Sequence, residues 1–219
     1  MKGKIIVFEG LDGCGKTTQV EKFKKYLEQN NIKYRFIKFP VYNNNVATPI
    51  KEYLNGSLNA DAYQVSAFYA TDRLYSYLTD WKKDYEEGML ILMDRYTYSN
   101  AIFQSARFEK FIGAQSYIKW LENYEFNILN LPKPDATIFL DIDPNTSQLL
   151  MSERYNGDES KKDVHEKDIL FQERCREFAH LLANNLNWNV VRVDKDGRMR
   201  SVEDILNEII ERTDYFVKK

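Results

Sequence analysis

The sequence predicts a three-layer α/β fold, a mostly parallel sheet with helices on both faces. Three observations predict it. Five short apolar runs, Lys4–Glu9, Tyr34–Phe39, Met89–Asp94, Thr137–Asp141 and Asn189–Val193, carry the β-branched and aromatic residues that buried parallel strands require. Longer stretches of helical periodicity separate them, the alternation that builds βαβ units. The chain has 219 residues, 43% hydrophobic and 14% aromatic, which suits one compact domain with at most a small lid. No internal repeat and no Ser/Gly/Pro-rich linker interrupts residues 1–219, so a single domain is expected.

The elements justify themselves in chain order. After the first strand, Val20, Phe23 and Leu27 mark one apolar face of a helix. Asp61–Trp81 reads as a second helix, with Tyr63, Ala67, Ala70, Leu74, Leu78 and Trp81 forming a stripe expected to face the core. Phe68, Tyr69, Asp72 and Arg73 then fall on the opposite side, where an aromatic pair needs a reason. Ser152–Lys167, "SERYNGDESKKDVHEK", is the most polar segment and reads either as a solvated loop or as a mobile lid. Near the end, Ser201 and Asp204 read as a capping box before Val202, Ile205, Leu206, Ile209 and Ile210.

Composition narrows the function. Formal net charge is −2 and no long Lys/Arg block occurs, so nucleic acid is not an expected partner. An anionic ligand must be held by local cations. The longest apolar run, Met89 to Met93, is far short of the ~20 residues that span a bilayer, so no membrane partner is expected. "MKGKIIVFEG" has too short an apolar core for a signal peptide. Cys14 and Cys175 suggest no disulfide framework, and a reducing cytoplasm is the expected setting. His165 and His180 alone cannot build a histidine-rich metal cluster.

The chemistry begins at Gly10-Leu11-Asp12-Gly13-Cys14-Gly15-Lys16-Thr17, which matches G-x-x-x-x-G-K-[ST] at every fixed position, between a strand and a helix. Glycines let backbone N–H groups turn inward around phosphate oxygens, at the positive end of the following helix. Lys16 reaches the outer phosphates, the Thr17 hydroxyl suits Mg²⁺, and Thr18 completes the loop. Nucleotide binding follows.

What the nucleotide is used for is read elsewhere. No Asn-Lys-x-Asp guanine-reading motif occurs, and the only D-x-x-G match, Asp194–Gly197, lies after the last strand. A motor would need more chain. "MLILMDRY" is a buried strand ending in Asp94 and Arg95, at the sheet edge where α/β folds place ligands. Asp94 suits a metal or its water and Arg95 a bidentate grip on an anion; a strand-end salt bridge is the other reading. Tyr69 and Arg73, neighbours at i, i+4, suit a nucleobase or equally a subunit interface. Asn100, Gln104 and Arg107 share one helical face and suit base edges or solvent.

With these residues assembled, the chain resembles the thymidylate kinase family over nearly its whole length. The matching pieces are "FEGLDGCGKTTQ", "FP" at Phe39-Pro40, "FYATDR" at 68–73, "DRYTYSNAIFQ" at 94–104, "LPKPD" at 131–135 and a lid followed by "FQER" at 171–174. The resemblance implies a five-stranded parallel sheet, a homodimer, and transfer of the ATP γ-phosphate to dTMP with Mg²⁺, giving dTDP. It implies that Asp12 faces the acceptor's sugar and phosphate, that Tyr69 stacks on thymine with Phe68 as the alternative, and that Arg73 bonds the thymine carbonyl. Arg95 would bind the acceptor phosphate. Phe39, Pro40, Ser99, Asn100 and Gln104 would line the acceptor pocket, and Phe103 would pack beneath the deoxyribose. Glu166 matches a lid-edge acid. Some family members carry a P-loop arginine where this chain has Gly13; others supply one from the lid, for which Arg154 is the candidate here, with Lys161 and Lys162 in reserve.

No general base is expected. A phosphomonoester's second pKa is about 6, so the acceptor oxygen is already largely ionised at neutral pH. A nucleoside kinase, which must activate a neutral hydroxyl, would profit from one. That enzyme, another nucleoside monophosphate kinase, or a non-enzymatic ATP-binding regulator are the competing readings.

Overall fold

The structure, a computed structural model, describes residues 2–43, 45–154 and 168–217, without the side chains of residues 153 and 154. Among these, strands β1 (Ile5–Gly10), β2 (Tyr34–Lys38), β3 (Leu90–Asp94), β4 (Ala136–Asp141) and β5 (Asn189–Arg192) form one parallel sheet in the order β2-β3-β1-β4-β5. Each lies within two residues of an apolar run in the sequence. β1, β3 and β4 are buried throughout, which is why they read as continuous apolar runs rather than alternating ones. Phe8 pairs with Asp94 and Gly10 with Leu140, so the loops after β1, β3 and β4 emerge side by side.

Helices cover both faces: α1 (Lys16–Gln29), α2 (Thr48–Leu54), α3 (Ala62–Ser76), α4 (Lys82–Glu86), α5 (Thr97–Ser105), α6 (Phe111–Glu122), α7 (Pro144–Arg154), α8 (Ile169–Leu186) and α9 (Val202–Val217). Val20, Phe23 and Leu27 of α1 are buried as the periodicity requires. In α9, Ile205, Leu206 and Ile209 are buried, and the Asp204 N–H donates to Ser201 Oγ at 3.1 Å. Val202, the first residue of the helix, is exposed. A two-stranded hairpin, β6 (Asp194–Lys195) and β7 (Arg198–Met199), turns at Asp196 and Gly197, both at positive φ. The late D-x-x-G is therefore a hairpin, consistent with the Asp-Gly preference of such turns.

One expectation is corrected. The stripe from Tyr63 to Leu78 is only partly the buried face of α3: Tyr63 is 37% and Leu78 57% exposed. Of the stripe within the helix, Ala70 is buried and Leu74 packs partly on the core, while the rest of the buried face is Ala62, Val65, Ser66, Asp72, Arg73 and Ser76. Two physical causes combine. The buried face carries polar groups that are paired in place, so hydrophobic periodicity points away from it. Beyond Ser76 the chain winds as a π-helix, Tyr77–Trp81, whose wider turn rotates later residues out of α-helical phase. Trp81, as expected, is fully buried.

Two substitutions separate core from cap. Leu27→Ala should cost about 2–5 kcal/mol by urea unfolding, since the side chain is fully buried against the sheet. Asp61→Ala should cost only ~1 kcal/mol: it removes the bond from the Gln64 N–H to Asp61 Oδ1 at 2.8 Å and leaves the backbone N–H of residue 61 to donate to Gln64 Oε1, at 2.9 Å. Equal costs would mean that α1 is not packed as described.

Candidate active site

The glycine-rich loop joins β1 to α1. Gly13 and Gly15 lie at φ +75° and +79°, the left-handed region that lets successive N–H groups face one concavity. Residues Leu11 to Thr18 line an open groove. Gly10 ends β1 below it, where a Cβ would come within 2.7 Å of Cys14 Sγ. The Cys14 side chain is buried beneath the loop and its thiol is pushed up by burial, so any part it takes in phosphate binding falls to its backbone. A Cβ at residue 13 would stand 2.7 Å from Ser147 Oγ, whose hydroxyl donates to Asp12 O at 2.5 Å. Helix α7 thus occupies the space a side chain at 13 would need, which accounts for glycine there.

Lys16 Nζ lies 2.6 Å from Asp94 Oδ1, and Lys38 Nζ lies 3.6 Å from the other oxygen. Burial raises the Asp94 carboxyl, but Lys16, Arg95 and Lys38 outweigh it and hold the group below 3.8. Arg95, one residue past β3, sits at φ +68° and donates to Asp12 Oδ1 at 2.6 Å. Burial works against its charge; Asp12, Glu9 and Asp94 more than restore it.

Beside the groove is a second cavity, of about 660 Å³. Asp12, Phe39, Pro40, Tyr69, Arg73, Arg95, Ser99, Asn100, Phe103 and Gln104 all line it, most of the acceptor set read from the sequence. Tyr69 lines the cavity and its phenol is pushed up by burial; Phe68 does not line it, and both rings pack against a small cluster of Tyr53, Ala60 and Val65. The Phe103 ring lies under the Arg95 guanidinium at 5.1 Å. Asn100 and Gln104 are buried, not solvated, and Gln104 Oε1 accepts from Arg107 Nη1 at 2.8 Å. Arg73 is held at Nε and Nη2 by Glu125, at 2.7 and 2.6 Å. The side chain of Arg154, and Lys161, Lys162 and Glu166 entirely, lie outside the described residues.

Several residues carry the site although the sequence reading gave them no role. Glu9 is fully buried, accepts from the Tyr96 N–H at 3.0 Å and from the Ser99 hydroxyl at 2.5 Å. Tyr42, Leu54 and Tyr96 complete the cavity wall. Asp72 accepts from the Val41 N–H at 2.9 Å, tying the segment after the cis Phe39–Pro40 bond to α3. Glu125 had no signal because its partner is fifty-two positions away.

Thr17 and Asp94 fit Mg²⁺. Thr17 lines the phosphate groove and Asp94 stands behind Lys16 at its edge, both as oxygen donors, and Mg²⁺ is commonly held by one or two carboxylates plus substrate phosphates rather than by a protein cage. Among the described residues no cluster of three or more His, Cys, Asp or Glu forms such a cage.

A strand, a glycine-rich loop and a helix N-terminus beside a second aromatic-lined cavity define the class, a P-loop nucleotide-binding α/β protein. Comparison with known proteins narrows it. The sequence profile described as thymidylate kinase matches residues 8–209. The chain is 26% identical to the thymidylate kinase of Danio rerio over 209 residues, covering 95% of this chain and 88% of that protein. It is 31% identical to the Mycobacterium tuberculosis thymidylate kinase over 210 residues, covering 89% and 94%. A solved thymidylate kinase from Candida albicans shares the fold at a TM-score of 0.71 and 22% identity, covering 98% of this chain and 92% of that one. The chain belongs to the thymidylate kinase family, and it is a phosphotransferase.

The depressed Asp94 carboxyl sets a pH dependence. Its stabilising pair is complete above the unfolded value of 3.8 and is lost as pH falls from there through the lower folded value. The urea-stability gap between the wild type and Asp94→Asn should therefore hold from neutral pH to about pH 5 and narrow below about pH 4. A gap unchanged across that range would mean that Asp94 is not paired with Lys16.

Proposed function

We propose that this protein transfers the γ-phosphate of ATP to dTMP, giving dTDP. One observation carries the reading. The phosphate groove and the second cavity share Asp12, Phe39, Pro40, Tyr42 and Arg95 as a common wall, so two anions bound in them meet at the Arg95 guanidinium. A hydrolase or switch needs one pocket; a transferase needs two that touch.

In this mechanism the loop N–H groups and Lys16 hold the donor phosphates, and Arg95 holds the acceptor phosphate against them. Lys16 leaves Asp94 for the phosphates, freeing that carboxylate. Thr17 and Asp94 would hold Mg²⁺ there, and the ion would supply neutralisation of charge on the transferring group. Asp12 orients Arg95 through their 2.6 Å pair. Tyr69 and Phe103 bracket the base and sugar, while Arg73 and Asn100 offer donors to the pyrimidine edge. No side chain removes a proton from the acceptor, which arrives ionised. A cation from the segment after Ser152, Arg154 by preference, completes the charge balance.

We further propose a homodimer. Tyr75 and Leu78, three residues apart at the junction of α3 with its π-helical end, are both exposed and would supply apolar surface to it. A reducing compartment such as the cytoplasm suits the two free, buried cysteines. Among the described residues no helix is long and apolar enough to cross a membrane.

The test is ADP formation from Mg·ATP with dTMP, dUMP, AMP, thymidine or no acceptor. Turnover should require dTMP; equal rates in every tube would mean an ATPase, and turnover with thymidine a nucleoside kinase. Arg95→Ala should lose at least about a hundredfold in kcat/KM while ATP affinity stays within about twofold, as expected for a charge-stabilising contact. Tyr69→Ala should chiefly raise the dTMP KM; a variant that only dissociated the dimer would move Tyr69 to the interface.

A further inference from the structure

Glu125 is fully buried, and Arg73 is 1% exposed although it lines the acceptor cavity. The pair is bidentate, and Thr97 Oγ1 adds a third hydrogen bond, to Glu125 Oε2 at 2.8 Å. Glu125 projects from the π-helix Asn123–Ile128 that continues α6, a local departure of the kind that re-aims a side chain. Desolvating both charges offsets most of their attraction, so a buried ion pair is a poor source of stability and its presence asks for another reason.

Orientation supplies one. A guanidinium has five N–H donors in a flat fork. Glu125 takes one on Nε and one on Nη2, along a single side of that fork. The donors on Nη1, with the second on Nη2, lie outside this pair. A bidentate contact fixes the plane of the group as well as its place. The hydrogen bond from Thr97 in turn fixes the carboxylate that does the holding.

We propose that Glu125 is a positioning residue for base selection: it sets the plane of Arg73 so that the outer donors face the cavity and meet a ring carbonyl. The inference rests on the acceptor reading above. It commits to a pyrimidine with a carbonyl at C4. That carbonyl accepts from Arg73; the amino group of a cytosine ring there would set donor against donor in a buried site. A site built to hydrogen-bond one group rejects the analogue lacking it far more strongly than an apolar pocket does. Asn100, whose Nδ2 is buried without a hydrogen-bond partner among the described residues, adds a second donor at the same cavity.

The experiment compares kcat/KM for dTMP and dCMP in the wild type, Glu125→Gln and Thr97→Val, alongside the KM for ATP and thermal melting. The wild type should prefer dTMP. Glu125→Gln should shrink that preference by about tenfold or more, through the acceptor KM, with the ATP KM within about twofold. Thr97→Val, which leaves the ion pair itself intact, should shrink it in the same direction by about threefold, less than the full worth of a hydrogen bond to a carboxylate because the ion pair still holds Arg73. If Glu125→Gln fails to fold, Thr97→Val decides alone. Folded variants that lose melting temperature or kcat with both acceptors alike, and keep the wild-type preference, would overturn the role of Glu125 and leave the acceptor reading standing. A wild type indifferent between dTMP and dCMP would overturn the acceptor reading, and this role with it.

Discussion

Arg95 stands at φ +68° immediately after β3, a conformation that costs a non-glycine residue roughly 1–3 kcal/mol. Three contacts hold it there. Its own N–H continues the β1–β3 ladder to Phe8 O at 2.9 Å, the next N–H, of Tyr96, donates to Glu9 Oε1 at 3.0 Å, and its guanidinium donates to Asp12 Oδ1 at 2.6 Å. The turn throws the side chain back across the loop that follows β1. Neighbouring β1 and β3 send their chains toward opposite sides of the sheet, which opens the crevice that α/β folds use for ligands. Both cavities are defined by what this one turn does.

The same junction explains how a chain of net charge −2 holds two anions. Lys16, Lys38 and Arg95 gather at the ends of β1, β2 and β3, and Asp12, Asp94 and the buried Glu9 neutralise them locally. Because each cation keeps a carboxylate partner, the site is stable without a large uncompensated field. In the proposed mechanism phosphate oxygens take Lys16 over from Asp94, while Asp12 keeps its pair with Arg95. Burial raises the Glu9 carboxyl, with Arg95, Ser99 and Tyr96 opposing the rise, so this acid is tied to the cations it supports.

What was legible in the sequence follows from physics. β1, β3 and β4 are buried on both faces and so announce themselves as unbroken apolar runs. The glycine-rich loop is legible because phosphate binding demands glycines and a lysine at fixed spacing. The buried face of α3 was not, since Ser66, Asp72 and Arg73 are polar residues satisfied by distant partners. Glu125 and Glu9 share that reason: a buried carboxylate whose partners come from elsewhere in the chain leaves no local pattern. The π-helical turns at Tyr77–Trp81 and Asn123–Ile128 shift the phase on which helical periodicity depends. Ser147, bonded to the Asp12 carbonyl from α7, is visible only once the two segments are brought together.

The claim at the centre is that two nucleotide sites meet at Arg95 and fill at once. A single molecule joining thymidine to adenosine through a chain of phosphates tests it most directly, by its competition with ATP and with dTMP. Competition with both, and an affinity well above that of either nucleotide alone, is the predicted result. Competition with only one of the two, at an affinity no better than that nucleotide's own, would mean that the cavities do not form one continuous site.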